Sequence, residues 1–428
     1  RWLEWPVGGW STTPGKFRVA RAALVLAVLV SGAAGGYAAN VHTEAAREIA
    51  VRAGPLSAVA TELYRSLADA DATAMSGFLS AGVAPTVFRD EYDEDIAQAA
   101  AGLASAATQN GEQGVTANRI ADIGAQLPVY TGLVEQARAN NRQGLPVGVA
   151  YLRAASELMR STVLPEAEAL QRSEAQRLDD EYERAGSMPV VALLLCAASL
   201  AGLIWAQVFL YRRTRRVFNV GLVVSTMAVV GTLLWWTVAG TIYYGYLEGS
   251  RRHSQSVTDA LGPAQIAALQ ARAGESLTLV ASDGGSAGEQ DFSARVQRLA
   301  RNDGAGGALG AARRLASDDR GRVLVEAAIV EARAYVGAHE QVRRLDERGR
   351  YAEAVASAVG AETMSAAAFR RLDAALAAAV EHERAEFTGD IGRAGGWLAG
   401  TVVGTVLLAL AAALGVVWGI GQRLKEYP

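Results

Sequence analysis

The chain has one cysteine, Cys196, in 428 residues, so no disulfide can staple it and its folded parts must hold together by apolar packing. Lysine is almost absent: Lys16 and Lys425 stand against 39 arginines, a bias that reads as codon usage of a GC-rich genome rather than chemistry. The four histidines, His42, His253, His339 and His382, are scattered, with no metal-ligand spacing. Neither a phosphate-cradling glycine loop nor a nucleophile elbow occurs. The expectation is a protein without catalysis, metal or cofactor. A formal net charge of −3 gives no basic footprint for nucleic acid.

What the chain does have is apolar length. Four runs, residues 19–39, 189–211, 220–244 and 394–420, each approach or exceed the roughly 20 residues that carry a helix across a bilayer. Only Arg21, opening the first run, is charged. The small residues of "GGYAAN" offer a signal-peptidase site, but the run is long for a signal peptide and its counterpart in the second half is uncleaved, so a spanning helix is expected.

Charge sorts along the chain. Lys16, Arg18 and Arg21 flank the first run, Arg212, Arg213, Arg215 and Arg216 fill the loop between the second and third, and Arg423 and Lys425 follow the fourth. Only Glu4 and Glu426 oppose them, which puts these pieces in the cytosol by the positive-inside rule. Residues 40–188 carry 12 basic and 21 acidic side chains and residues 246–393 carry 19 and 21. Both therefore lie outside the cell. The expected organisation is a cytoplasmic segment 1–18, a first span 19–39, an outer helical stretch 40–188, a second span 189–211, a basic cytoplasmic loop 212–217, a third span 218–245, a second outer stretch 246–393, a fourth span 394–420 and a cytoplasmic tail 421–428.

The halves repeat. "YTGLVEQARANNRQG" from Tyr130 and "YVGAHEQVRRLDERG" from Tyr335 match in register at six of fifteen positions, 205 residues apart. The same offset carries the start of the second span onto that of the fourth, so a whole module, helix in, outer domain, helix out, is written twice. In residues 40–188, apolar residues recur at helical spacing between breaks at "SAGVAPT", "QNGEQG" and "NNRQGLPVG". The fold class that follows is an all-α membrane protein with four transmembrane helices and two tandem extracytoplasmic domains resembling four-helix bundles. Pro55 and Pro165 fall inside predicted helices and should bend them.

Several polar residues are candidates for ligand or partner binding. At helical periodicity Asp71 points with the apolar stripe, while Asp69 pairs outward with Arg65 one turn back. A buried carboxylate needs a partner, within the bundle or from a ligand. In the repeat, Tyr130 and Tyr335 recur with Glu135 and Arg138, and Glu340 and Arg343, each i, i+3 set able to form a surface ion pair. Arg138, Asn140, Asn141 and Arg142 gather donors at a helix end, which reads either as an anion-facing patch or as a helix C-cap closed by Gly144. Glycines four apart, Gly32 and Gly36, then Gly392 to Gly404, then Gly415 and Gly419, mark spans one and four as packing helices and leave a homodimer open. On the cytosolic side, Thr12, Thr13, Lys16 and Arg18, with Arg212, Arg213, Arg215 and Arg216, form the candidate docking surface, or a lipid-surface anchor.

The segments "STTPGKFR", "LYRSLADADATA", "LPVYTGLVEQARANNRQGLPVGVAYLR" and "LQARAGESLTLVA" ahead of "QDF" resemble those of the actinobacterial GlnX family. That resemblance implies a signalling membrane protein working between an extracytoplasmic amino-acid-binding lipoprotein and the cytosolic serine/threonine protein kinase G. It assigns no site residue. The chain is accordingly expected to contact the lipid bilayer, such a lipoprotein and such a kinase. Direct sensing of a small molecule by the bundles and a purely structural envelope role are the rival readings.

Overall fold

A computed structural model describes residues 13–80, 85–110, 114–214, 219–281, 286–301, 304–360 and 364–424. Among these, every regular element is helical, apart from an isolated antiparallel bridge between Arg301 and Gly306. In chain order the helices are α1 (Thr13–Glu48), α2 (Gly54–Leu79), α3 (Pro85–Asn110), α4 (Val115–Arg142), α5 (Val147–Leu158), α6 (Leu164–Ala185) and α7 (Val190–Thr214). They continue as α8 (Val220–Ser256), α9 (Gly262–Ala281), α10 (Ser286–Leu299), α11 (Gly307–Leu315), α12 (Asp319–Glu347), α13 (Tyr351–Val359) and α14 (Met364–Leu424). Four helical stretches are long and apolar enough to cross a membrane, and this is a membrane protein.

Proline leaves a specific signature. Wide π-turns at Ile49–Ala53, Met159–Val163 and Val257–Leu261 join α1 to α2, α5 to α6 and α8 to α9, and each sits just ahead of a proline, Pro55, Pro165 or Pro263. A proline lacks the N–H that should close the preceding turn, and its ring crowds the carbonyl one turn back. Passing to i→i+5 bonds, as Leu164 N–H does to Met159 O and Gly262 N–H to Val257 O, relieves that crowding without ending the helix.

The chain divides into two compact units. One takes in Arg1–Glu48, Glu181–Glu248 and Asp390–Pro428, and holds the apolar helical segments. Within it, Ser199 Oγ of α7 donates to Ala27 O of α1 at 3.1 Å. α8 and α14 cross closely. A Cβ on Gly221 would lie 2.4 Å from Gly415 O and 2.5 Å from Gly419 Cα, so only hydrogen fits there. Asn219 Nδ2 donates to Gly419 O at 2.7 Å and Ser225 Oγ to Ala412 O at 2.8 Å across the same seam. The expected pairing of spans one and four is therefore only part of the packing. Gly32 does abut Ala409, but Gly415 and Gly419 serve α8, and Gly392, Gly396 and Gly400 meet nothing within 4 Å.

The other unit takes in Ile49–Asp180 and Gly249–Gly389. The two polar stretches thus fall in one compact unit, within which the second keeps an apolar cluster of its own around Leu261, Phe292, Tyr335 and Leu376. The reason they join is visible in the core: Ile266, Leu269, Ala273 and Val280 of α9 pack in the same apolar cluster as Leu63, Leu67 and Met75 of α2. Polar ties reinforce the join, with Ser76 Oγ and Ser276 Oγ 3.2 Å apart, Arg384 3.4 Å from Glu62, and Arg251 2.6 Å from Asp179. The second stretch is also more finely divided than expected, since α11 and α13 are short helices with their own breaks at Ala316 and Gly360. The repeated glycines Gly144 and Gly349 close α4 and α12 at φ of +69° and +74°, a conformation other residues adopt only with strain.

Candidate functional site

In the polar unit, α2 and α9 each carry a buried carboxylate, 204 residues apart. Asp71 on α2 is 3% exposed, and Glu275 on α9 is 1% exposed. Each is matched with a fully buried repeat tyrosine, Tyr130 of α4 or Tyr335 of α12. Their surroundings differ. Asp71 Oδ2 accepts from Ser156 Oγ at 3.0 Å and lies 3.7 Å from Arg160 Nε, but among the described residues Oδ1 has no hydrogen-bond partner, and the Tyr130 hydroxyl faces the carboxylate without closing a hydrogen bond. Arg160, in the π-turn before Pro165, also reaches Asp291 at 3.4 Å. Burial pushes the Asp71 carboxyl above the usual range, and Arg160 and Ser156 only partly oppose it.

Glu275 is fully engaged. Arg272 Nη1 donates to it at 2.7 Å, Ser365 Oγ at 2.8 Å and Tyr335 Oη at 3.4 Å, and His339 Nδ1 lies 3.1 Å away. Burial alone would raise this carboxyl, but His339, Arg272 and Ser365 together hold it below its ordinary value. Phe292 stacks on His339 with ring centroids 3.5 Å apart, closing the cluster.

Beside the Glu275 cluster, whose Arg272 lines it, opens a cavity of about 460 Å³, the size of a small-ligand pocket. Asp69 of α2, Glu91, Glu94 and Asp95 of α3, and Asp373 of α14 supply its carboxylates. Arg272 and Arg370 are its cations, while Phe88 and Phe369 supply aromatic wall. Burial, then repulsion from Asp373, raises Asp69 to about 6, against the pull of Arg65. Asp95, 8% exposed, is raised to about 8 by burial and then by Asp69.

The sequence candidates fall in several places. Asp69 does pair with Arg65, at 3.1 Å, but on the cavity wall rather than facing outward, and Glu62 shares the same guanidinium at 2.8 Å. Glu135 and Arg138 form their ion pair at 2.8 Å, and Arg138 lies 4.2 Å above the Tyr92 ring. The matching pair does not form: Arg343 turns to Glu289 at 3.1 Å and Asp346 at 2.9 Å, while Glu340 meets Arg344 at 3.6 Å. An acid on the neighbouring α10 outcompetes the exposed Glu340 for a guanidinium that is itself mostly buried. Asn140 Nδ2 donates to Gln136 O, and Asn141 Nδ2 pins the turn to Phe78 O at 2.9 Å, leaving Arg142 exposed. Arg18 and Arg212 are exposed. Thr12, Arg215 and Arg216 lie outside the described residues, as do the side chains of Thr13, Lys16 and Arg213.

Sequence reading passed over Glu275 and the cavity. Glu275 sits one residue off the 205-residue register, and nothing in the run "RDEYDEDIAQ" announces that it shares a cavity with Asp373 of α14. The fold also gathers Asp318, His382 and Glu386, which sequence spacing did not suggest. Asp318 already caps α12 through Gly321 N–H and holds His382 Nε2 at 2.8 Å, which accounts for that grouping structurally.

Residues 45–183 match the family model described as an actinobacterial sensor domain. The match spans the first polar stretch, including Asp71, Tyr130, Arg160 and the α2 and α3 walls of the cavity, and supports a sensor role for the chain. Comparison with curated proteins and with solved structures gives no match.

Proposed function

We propose that the chain is a transmembrane sensor-adaptor that relays extracytoplasmic amino-acid status, of the aspartate and glutamate type, from a solute-binding lipoprotein to a cytosolic serine/threonine kinase. The observation that carries this reading is a sensor-domain match placed between membrane-spanning helices. The excess of acidic side chains in both polar stretches, against the basic loop at 212–217, supports an extracytoplasmic polar unit and a cytosolic loop. The chain itself catalyses nothing in this reading, and its exposed basic edges, Arg18 and Arg212 among them, meet the kinase. Moving a two-state receptor from mostly off to mostly on takes about 5.5 kcal/mol of differential binding, within reach of a protein partner covering a helical face. The resemblance to the GlnX family supports the choice of partners.

The test is cross-linked capture of the full chain from native membranes with and without aspartate and glutamate. Recovery of a solute-binding lipoprotein and a serine/threonine kinase is expected, in proportions that change with the amino acid. Recovery of neither overturns the relay. Orientation is checked separately in a Cys196→Ser background, where Arg142→Cys should react with a membrane-impermeant maleimide on intact cells and Arg212→Cys should not. The reverse pattern ends the proposed topology.

The cavity favours a second reading, direct sensing by the polar unit, because a pocket of about 460 Å³ walled by both stretches is placed to read a small ligand.

A further inference from the structure

An anion is a poor match for that cavity. Five carboxylates line it against two guanidiniums. Of those two, Arg272 is committed to Glu275 at 2.7 Å and to Ala358 O at 2.6 Å. The neighbouring Arg65 is likewise taken up by Glu62 and Asp69. An aspartate or glutamate ligand would add negative charge to an unbalanced negative site.

Acidic clusters are common without ligands, so the decisive residue is Asp95. Its side chain lines the cavity and is 8% exposed, yet among the described residues it accepts no hydrogen bond and joins no ion pair. Its oxygens are not sealed off but open to the cavity, and a cationic ligand there is the group that would pair a carboxylate otherwise left without a partner. Size and wall chemistry narrow the class. A bare metal ion needs converging oxygens at about 2.0–2.6 Å, not a volume of about 460 Å³ interrupted by Val87, Phe88, Val359 and Phe369. Those apolar walls suit an alkyl stem, and aromatic faces favour a cation close by.

The geometry points to a binding site for a small alkylammonium compound, a basic amino acid or a diamine or polyamine, with its ammonium at Asp95, Asp69 and Asp373 and its stem against Phe88 and Phe369. This goes beyond the relay: it gives the polar unit an input of its own, whichever proteins it contacts. The raised carboxyls predict how binding behaves. The groups facing Asp95 are Asp69, Glu91, Glu94 and Asp373, with Arg65, Arg272 and Arg370, and the acids outnumber the free cations. A cation that replaces the protons held by Asp95 and Asp69 releases them on binding and binds more tightly as pH rises.

The experiment is isothermal titration of the full chain in lipid nanodiscs with putrescine, spermidine, lysine, glutamate and magnesium, each in two buffers of different ionisation enthalpy. At least one of the amines should bind with net proton release, glutamate should not, and the amine that binds best tells polyamine from amino acid. Asp95→Asn should weaken that amine on the order of tenfold or more while leaving the unliganded melting temperature unchanged or higher. Asp122→Asn, on the exposed face of α4, should leave affinity unchanged. Absence of amine binding, amine binding insensitive to Asp95→Asn, or magnesium binding at the same residue in preference to amines would each overturn the proposal. Failure here leaves the lipoprotein and kinase relay standing, since capture of those partners is measured without reference to the cavity.

Discussion

Asp71 and Glu275 hold similar places in the two stretches and have opposite electrostatic fates. Glu275 is held by a guanidinium, a hydroxyl and an imidazole, so removing it strands Arg272 and His339 in a dry interior. Glu275→Ala should cost about 3–5 kcal/mol, seen as a large drop in the melting temperature of the detergent-solubilised chain. Asp71 is under-satisfied and raised by burial, so Asp71→Asn, which keeps the shape and loses the charge, should leave stability level or improve it in the same assay.

The cavity acids set a pH dependence with a definite sign. A carboxyl whose pKa is raised by folding holds its proton more tightly folded than unfolded. Its contribution is present below the unfolded value of about 4 and is lost as pH rises through about 6 for Asp69 and about 8 for Asp95. Asp373 and Glu91 are raised by burial and act in the same direction. Glu275 is lowered, so its own loss falls at acid pH, outside this window. Without ligand, the melting temperature should therefore be higher near pH 5.5 than near pH 8, and Asp95→Asn should flatten the difference. A rise in stability from about pH 5.5 to about pH 8 would contradict the buried acidic cluster.

At the scale of elements, helices here are joined by devices that keep them continuous or bring them close. The π-turns let α1 run into α2, α5 into α6 and α8 into α9 across Pro55, Pro165 and Pro263. Proline was readable from sequence, but its accommodation by a wider turn rather than a break was not, because that choice depends on packing either side of it. The glycine spacing announced close helix approach. Only the structure showed that Gly415 and Gly419 receive Gly221 of α8, since spacing gives a helix a face but not a neighbour. Gly221→Val would drive side-chain atoms into the α14 backbone, which cannot retreat as a flexible side chain could. It should cost about 1–3 kcal/mol or more in thermal unfolding, whereas Gly231→Val, with nothing within 4 Å, should be nearly silent.

On the scale of the whole molecule, the two polar stretches fall in one compact unit with an apolar cluster that draws on both α2 and α9. Residues 40–188 made alone would expose the surface that meets Ile266, Leu269 and Val280. They should show helical circular dichroism with a broad, non-cooperative melt and dye-accessible apolar surface. Co-expression with residues 246–393 should restore a sharp transition; a sharp melt from residues 40–188 alone would show that the shared core is dispensable.

The spanning helices, the duplication, the sorting of charge and the positions of most turns follow from composition, periodicity and repeat, because each is a local property or a comparison of the chain with itself. The shared core, the Asp71 and Glu275 clusters and the acidic cavity belong to the tertiary structure alone. They bring together side chains from some sixty to three hundred residues apart, and the protonation of a carboxylate such as Asp95 is governed by how far the fold shuts out water and by which charges, Asp69 and Arg65 among them, it sets beside it.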